Sequence, residues 1–205
     1  MRSLCGAAGL CLGILGALGL LVRRLSDPGL RDYSSPADYF NLVFFIVAFG
    51  IKAAVFPLYS WLPASYPAAP ASVAAIFAGL LTKVGVYAIV RVGTLLFVHD
   101  PELTQPLLGF LAGATMIVGV LGAVAQDSLR KILSFHIVSQ IGYMLMGLGL
   151  FSVAGVAGAV LFIVHQIPVK TVLFLVGGLV ESDRGTSALD RISGLITSRP
   201  FVAAM

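Results

Sequence analysis

Charged side chains are scarce in this sequence. Its 205 residues include 13 Lys or Arg and 9 Asp or Glu, so that 11% of the chain is charged, whereas an ordinary soluble domain has roughly 25%. Hydrophobic residues make up 59% of the chain, and no stretch is long and polar enough to form a soluble domain. These features exclude a soluble globular protein and predict a polytopic membrane protein.

Cysteine and the common catalytic motifs are also nearly absent. The two cysteines, Cys5 and Cys11, lie in one apolar segment, so there is no CxxC motif and no disulfide framework. The sequence contains no Ser-His-Asp set, P-loop, GxGxxG motif or HExxH motif. It has no run of five like charges that would favour nucleic acid. We therefore predict no catalytic residues, no cofactor, no metal site and no nucleic-acid partner.

Apolar stretches recur along the whole chain. They cover residues 3–22, 40–60, 71–97, 105–125, 132–150 and 156–180. Each is near the length of about 20 residues that a transmembrane helix needs, and none alternates apolar and polar residues as barrel strands do. The predicted fold is all-α, a polytopic transmembrane bundle of about six helices. A signal peptide is the alternative for the first stretch, but its apolar run is too long for one.

The distribution of basic residues predicts an orientation. If every stretch crosses the membrane, six Lys or Arg residues lie on the side of the N-terminus and four on the other side. Cytoplasmic loops carry an excess of basic residues. The small excess favours a cytoplasmic N-terminus.

Three lysines interrupt the apolar pattern. Lys52, Lys83 and Lys170 lie well inside predicted spans. A lysine at the bilayer centre costs about 2.5–3.5 kcal/mol on insertion scales, and such residues usually mark ion pathways. The alternative is a lysine that extends its charge to the interface, which fits Lys170 better than the other two. We predict that these lysines pass protons.

Acidic residues are missing from the same spans. All nine lie in predicted loops or near predicted helix ends, at Asp27, Asp32, Asp38, Asp100, Glu102, Asp127, Glu181, Asp183 and Asp190. Burial disfavours a charged side chain that has no partner. Either the three lysines are largely neutral, or their counter-ions come from protein outside this sequence.

Prolines predict a break in the helix that carries Lys52. Pro57 cannot donate a hydrogen bond to the carbonyl of Ala53, and Pro63 and two further prolines follow. Irregular backbone at membrane depth is tolerated only where it is buried in protein or lines water. We expect Lys52 and the freed carbonyls to border a hydrated cavity. The alternative is that residues 61–70 form an exposed loop.

The fifth apolar stretch has one polar face. His136, Ser139, Gln140 and Tyr143 follow helical spacing. This face could carry protons through a titratable imidazole, or its polar side chains could simply join helices together. For His136 we favour the proton relay.

The last apolar stretch combines a proline with polar residues. Pro168 releases the carbonyl of Val164, which lies next to His165, and it precedes Lys170 by two residues. We expect a second kink there, beside polar groups.

One long motif resembles a known family. The run FGIKAAVFPLYSWLPASYPAAPASVAAIFAGLLTKVGVYAIVRV, Phe49 to Val92, resembles the proton-conducting antiporter-like family shared by the membrane arm of respiratory complex I and Mrp-type multisubunit sodium/proton antiporters. Complex I members read closer to WLPDAH. WLPASY followed by LLTKVGVYA is similar to the D subunit of the Mrp-type antiporters, and the RKILSFHIVSQIGYM and HQIPVKTVLFLVGGL segments fit the same protein.

The resemblance implies a function for the residues already singled out. In that family a lysine on a broken helix and a lysine on the next helix belong to a chain of titratable groups at the membrane midplane, and Lys52 and Lys83 match them. His136, His165 and Lys170 match further members of this chain. The resemblance thus implies a proton-conducting subunit of a monovalent cation (Na⁺)/proton antiporter in the plasma membrane, with other membrane subunits as partners.

The resemblance also predicts how the chain is divided. Residues 1–39 would form a first apolar helix and a polar loop, residues 40–200 a partial antiporter-like membrane domain, and residues 201–205 the start of the family's next helix. The family's subunit has more than twice as many helices, and an acidic residue on an upstream helix pairs with the lysine matched by Lys52. We therefore expect a central part of a longer subunit, with the missing carboxylates outside it.

The resemblance is incomplete around Lys170. Gln166 stands where a second histidine is common in the family, and Pro168 is unusual there. Two alternatives stay open: a proton-pumping membrane-arm subunit of an NADH-quinone oxidoreductase-like complex whose redox cofactors sit on partner chains, and a fragment that inserts into the membrane but transports nothing.

Overall fold

The computed structural model describes residues 36–95 and 101–192. The predicted first span, residues 3–22, lies outside the described residues together with both cysteines. The predicted start of a further helix at residues 201–205 lies outside them as well. Predictions for these segments therefore stay predictions.

The chain divides into two compact units, Met1–Phe40 and Asn41–Met205. Residues 36–40 are the described part of the first unit, and they begin the first helix. The architecture below belongs to the second unit.

Helices make up most of the described chain. In order they are α1 (Pro36–Ala53), α2 (Trp61–Ser65), α3 (Ala71–Leu95), α4 (Pro101–Val124), α5 (Leu129–Gly149) and α6 (Val153–Arg184), followed by a short 3₁₀ turn (Leu189–Arg191). Within the described residues, α3, α5, α6 and the Thr104–Val124 part of α4 are long and apolar enough to cross a membrane, and α1 has a shorter apolar stretch. The predicted all-α membrane fold is confirmed.

The ends of α6 show how local sequence sets a helix boundary. Ser152 precedes the helix, and its side-chain oxygen accepts a hydrogen bond from the backbone N–H of Gly155 at 3.0 Å, as expected for an N-cap. Gly185 follows the helix with φ of 70°, the left-handed conformation that glycine adopts at a helix end. These two signals make α6 longer than the predicted span of 156–180. The helix also continues through Pro168.

Helix α5 occupies the centre of the described bundle. It packs against α2, α3, α4 and α6. A larger share of its apolar stretch is buried inside the bundle than is the case for α4 or α6. The largest interface is between α4 and α5, where the backbones approach closely: a Cβ added at Gly142 would lie 2.8 Å from the carbonyl oxygen of Ala112. Side chains on α5 are therefore in a position to contact several spans.

One end of the bundle is held by Arg130 at the start of α5. Its guanidinium donates hydrogen bonds to the carbonyl oxygens of Pro67 at 3.2 Å and Ala69 at 2.8 Å. The same side chain pairs with the carboxylate of Glu181 at the end of α6 at 2.6 Å. We call these four residues the Arg130 clamp. It places the beginnings of α3 and α5 and the end of α6 on one side of the bundle.

The segment after the first described helix is not the exposed loop considered above. Residues 61–65 form α2, and the side chains of Leu62 and Tyr66 are fully buried. Leu62 and Tyr66 belong to the same apolar core as the spanning helices, so hydrophobic burial holds this segment against the bundle.

Candidate proton-conducting site

Helix α1 ends directly after Lys52. Ala54 has a φ of 61°, and the N–H groups of Val55 and Ala54 donate to the carbonyl oxygens of Gly50 at 2.9 Å and Ile51 at 3.2 Å. This pair of bonds is the Schellman motif that terminates helices. Lys52 lies in the last turn, where the helix dipole favours a positive charge. The predicted break is present, and it begins before the first proline.

The broken segment is bonded to protein on both sides. The indole N–H of Trp61 donates to the carbonyl oxygen of Ile51 at 2.7 Å, and the backbone N–H of Phe56 donates to the hydroxyl of Thr115 on α4 at 3.1 Å. The peptide bond between Phe56 and Pro57 is cis, and Pro63 lies within α2. The carbonyl of Ile51 therefore accepts both this indole N–H and the backbone N–H of Ala54.

Helix α3 contains a π-helical segment, Phe77–Leu81, which the sequence reasoning missed. Two of its carbonyl oxygens accept side-chain hydrogen bonds: Phe77 from the hydroxyl of Tyr66 at 3.0 Å, and Ala78 from the ammonium group of Lys83. Short π-helical segments often occur at functional sites because they redirect backbone hydrogen bonds. Apolar periodicity gives no signal for such a segment.

Lys83 and Lys170 are buried side chains. Their exposed fractions are 3% and 0%, so neither extends its charge to an interface. The helices that carry them pack closely: a Cβ added at Gly79 on α3 would collide with the side chain of Thr171, the residue after Lys170. Both lysines thus lie in the interior of the bundle, on helices that pack against each other. Because like charges repel in a site of low dielectric constant, a proton on one opposes a proton on the other.

Lys170 contacts His136 across the interface between α5 and α6. Its Nζ lies 2.6 Å from Nδ1 of the imidazole, a short hydrogen bond between two groups that can each gain or lose a proton. The other ring nitrogen of His136 lies 3.4 Å from the amide nitrogen of Gln140. Lys83, Lys170, His136 and Gln140 form the group that we call the lysine–histidine cluster.

Carboxylates do not neutralise the cluster within the described part of the chain. Among residues 36–95 and 101–192, the carboxylate of Glu181 pairs with Arg130 and that of Asp190 with Arg191, and neither forms an ion pair with the cluster. No group of three or more His, Cys, Asp or Glu side chains able to hold a metal is present in those ranges. The arrangement can therefore hold and exchange protons between amine and imidazole groups.

Lys52 and His165 lie outside the lysine–histidine cluster. Lys52 is half-buried at the end of α1, and this end approaches α3 closely, because a Cβ added at Gly85 would lie 2.7 Å from the backbone nitrogen of Ala53. His165 is exposed on α6, and its ring stacks on Phe162 with a centroid separation of 6.4 Å. Of the five residues predicted to conduct protons, Lys170 and His136 are therefore in contact, and Lys83 is buried on a helix that packs against α6.

Apolar helices that can cross a membrane, with two buried lysines and a contact between Lys170 and His136, define a multi-pass membrane protein with titratable groups on its spans. The chain belongs to the "NADH:quinone oxidoreductase/Mrp antiporter, TM" family, whose match covers residues 6–205.

Curated relatives carry the names of antiporter subunits. The chain is 52% identical over 163 residues to the D subunit of the Na(+)/H(+) antiporter of Alkalihalophilus pseudofirmus, an alignment that covers 80% of this chain and 33% of the relative. The corresponding protein of Bacillus subtilis is 40% identical over the same shares of both chains. The chain thus spans about a third of the length of these relatives.

Solved structures of two kinds of complex resemble the fold. A chain of the Mrp complex from Dietzia sp. DQ12-45-1b matches with a TM-score of 0.79 and 39% identity, over 83% of this chain and 32% of that one. A chain of respiratory complex I from Thermus thermophilus matches with a TM-score of 0.77 and 28% identity, over 84% of this chain and 37% of that one.

Proposed function

We propose that this chain is part of a subunit of a multisubunit Na⁺/H⁺ antiporter and conducts protons through its interior. Lys83 and Lys170 are the buried steps of the path, and Lys52, His136 and His165 are steps that are half-buried or exposed in this chain. The observation that carries the proposal is the 2.6 Å contact between Lys170, which is fully buried, and His136, which is exposed on α5.

The path requires that protons move singly. Because Lys83 and Lys170 are both buried on helices that pack together and like charges repel at low dielectric constant, arrival of a proton at one would promote release of a proton from the other. A proton released by Lys170 has an acceptor within hydrogen-bond distance at Nδ1 of His136. Direct proton transfer between two side chains requires a hydrogen-bond distance of about 2.6–3.2 Å between the heavy atoms.

The broken helix has a role in this proposal. The Schellman end at Ala54 and the prolines Pro57 and Pro63 interrupt the helix in front of α3. This leaves Lys52 beside Gly85, two residues from Lys83 along α3. Lys52 would pass protons to or from Lys83 across this approach.

The names of the relatives support the remaining parts of the proposal. Relatives that are 52% and 40% identical are named as D subunits of Na(+)/H(+) antiporters, which supports sodium as the exchanged cation and other membrane subunits as partners. We place the complex in the plasma membrane, with the N-terminus of this chain in the cytoplasm. The excess of basic residues on one side supports that orientation.

A second candidate is a proton-pumping subunit of a quinone-reducing complex. The TM-score of 0.77 to a chain of complex I favours it. The same lysines would then move protons, and the redox chemistry would take place on other subunits. The higher identity to the antiporter subunits favours the first proposal.

The experiment uses inside-out membrane vesicles that contain the complete complex. A respiratory substrate establishes a pH gradient, a dye reports it, and sodium is added. We expect sodium to collapse the gradient in the wild type, and Lys170→Met to abolish the collapse. Lys131→Met is the matched control, because Lys131 is exposed at the start of α5, and it should behave as wild type.

Two outcomes would contradict the proposal. If sodium has no effect on wild-type vesicles while quinone-linked proton pumping depends on Lys170, the second candidate is correct. If Lys170→Met and Lys131→Met both transport as the wild type does, the lysine–histidine cluster is not the proton path.

A further inference from the structure

Two glutamine side chains continue the lysine–histidine cluster along the interface between α5 and α6. These helices run antiparallel, and two contacts fix their register: His136 with Lys170 at 2.6 Å, and Tyr143 with Phe162 at a ring-centroid separation of 6.3 Å. One turn beyond His136 on α5 is Gln140. One turn before Lys170 on α6 is a second glutamine, Gln166, so the two amides lie at the same level between the two contacts.

Both glutamines are buried and incompletely bonded. Their exposed fractions are 8% for Gln140 and 4% for Gln166. The carbonyl oxygen of each side chain, Oε1, has no hydrogen-bond partner among the described residues. Leaving a buried acceptor unpaired lowers the population of that arrangement roughly tenfold or more. Two such oxygens at one level of the bundle therefore call for an explanation.

The protonation state of Lys170 determines whether the amide of Gln140 accepts a hydrogen bond from His136 or donates one to it. A protonated lysine can only donate, so it donates to Nδ1 of His136, and the proton of the imidazole is then on Nε2. That N–H needs an acceptor, and the nearest group is the amide of Gln140, 3.4 Å away. Amide oxygen and nitrogen have nearly the same shape, so the amide can turn to present Oε1 to His136 and its NH₂ group to Gln166.

When Lys170 is neutral, it can accept a hydrogen bond from His136, and the donors and acceptors along the chain to Gln166 exchange roles. Its Nζ accepts a hydrogen bond from the N–H group at Nδ1 of His136, and Nε2 of the ring becomes an acceptor. Gln140 then presents its NH₂ group to His136 and its Oε1 to Gln166, whose own amide turns to donate. If the two amides turn together, both amide oxygens have a donor when Lys170 is protonated, and the oxygen of Gln140 has one when Lys170 is neutral.

We propose that Gln140 and Gln166 form a hydrogen-bonded amide pair that selects the tautomer of His136 to match the protonation of Lys170. Both are positioning residues, because they act through His136. This inference rests on the proposed function in so far as His136 relays protons. It goes further by assigning a specific task to Gln166, a buried residue that the proposed proton path does not use.

The experiment measures the tautomer of His136 directly. The complete complex is labelled with ¹⁵N-histidine in lipid and studied by solid-state NMR, in which Nδ1–H and Nε2–H imidazoles have distinct nitrogen shifts. The signals of His136 are identified by their loss in His136→Asn. We expect one neutral tautomer in the wild type, and a tautomer ratio changed about fivefold in Gln140→Met, the factor that a typical hydrogen bond contributes.

A second variant and a control keep the result interpretable. Gln166→Met should change the ratio in the same direction without touching His136 itself, whereas Gln126→Met, in the turn after α4, should leave it unchanged. If both Gln140→Met and Gln166→Met keep the wild-type signals, the amide pair does not select the tautomer. That result would leave the proposed function intact, because the transport assay with Lys170→Met decides it separately.

Discussion

Lys170 and Lys83 are basic side chains buried among apolar helices. Each is removed from solvent by the surrounding helices, and neither forms an ion pair with a carboxylate in the described part of the chain. Burying an ionisable group without a charged partner is unfavourable. Such residues are retained where the protein needs a group that changes its protonation state.

The first prediction is that Lys170→Met does not destabilise the complex. Methionine fills a similar volume and carries no charge, so we expect stability equal to the wild type or higher by about 1 kcal/mol or more. Thermal unfolding of the purified complex in detergent or lipid measures this. Lys131→Met is again the control, and an unfolding temperature for Lys170→Met well below that of Lys131→Met would mean that Lys170 holds the structure together.

At the scale of helices, the close approach of α1 to α3 places Lys52. It depends on the absence of a side chain at Gly85, because a Cβ there would lie 2.7 Å from the backbone nitrogen of Ala53. Contacts of this kind, through small residues, are typical of helix packing in membranes.

The second prediction tests this approach with Gly85→Val. The added side chain must push the end of α1 away, which we expect to destabilise the complex by about 1–3 kcal/mol through overpacking and to reduce sodium-dependent transport. Gly113→Val is the matched control, because nothing lies within 4 Å of a Cβ at Gly113 on α4. Equal unfolding temperatures and equal transport for the two variants would contradict the predicted contact.

The Arg130 clamp joins three elements through one side chain. The side chain of Arg130 is only 12% exposed and bonds the connection before α3 as well as Glu181 on α6. Its five donors and planar shape suit several acceptors at once.

The third prediction is that Arg130→Met and Glu181→Gln destabilise the complex in a coupled way. Arg130→Met should lower stability by about 1–3 kcal/mol, since it leaves two carbonyl oxygens and a carboxylate without their donor. Glu181→Gln should have the smaller effect, because Glu181 is 33% exposed. A double-mutant cycle of unfolding measurements checks this, and strictly additive effects would show that the pair is not coupled.

At the scale of the whole molecule, the ends of the spanning helices lie on two opposite sides of the bundle. The Arg130 clamp places the start of α5 and the end of α6 on one side, and the turn between these helices, around Ser152, is on the other. Arg130, Lys131, Arg184 and Arg191 all belong to segments near the first side. Basic residues concentrate on the cytoplasmic side of membrane proteins.

The fourth prediction is that these two sides are labelled from opposite faces of the membrane. In a variant with Cys5 and Cys11 replaced by serine, Ser182→Cys should react with an impermeant maleimide from the cytoplasm only, and Ser152→Cys from the opposite side only. Both positions are exposed. Labelling of both from the same side would contradict the fold, and the reverse pattern would contradict the orientation.

The sequence by itself determined the all-α membrane class, the existence of a break after Lys52, and the position of three lysines within apolar stretches, of which Lys83 and Lys170 are buried and Lys52 is half-buried. These features are local: the length of an apolar run, the missing N–H of proline and the cost of a charge in an apolar environment are all readable without knowing the neighbours. The exact end of α1 could not be predicted from the sequence. The left-handed residue of its Schellman motif is an alanine, Ala54, and not the glycine that usually marks such a helix end.

Only the tertiary structure decided which of these residues meet. His136 and Lys170 are 34 positions apart, and their contact depends on the register of α5 against α6. The same register sets Gln140 level with Gln166, and the packing of α2 against the core buries a segment, residues 61–65, that resembles a loop in sequence. Such contacts depend on how several helices pack at once, and no local pattern of residues records that.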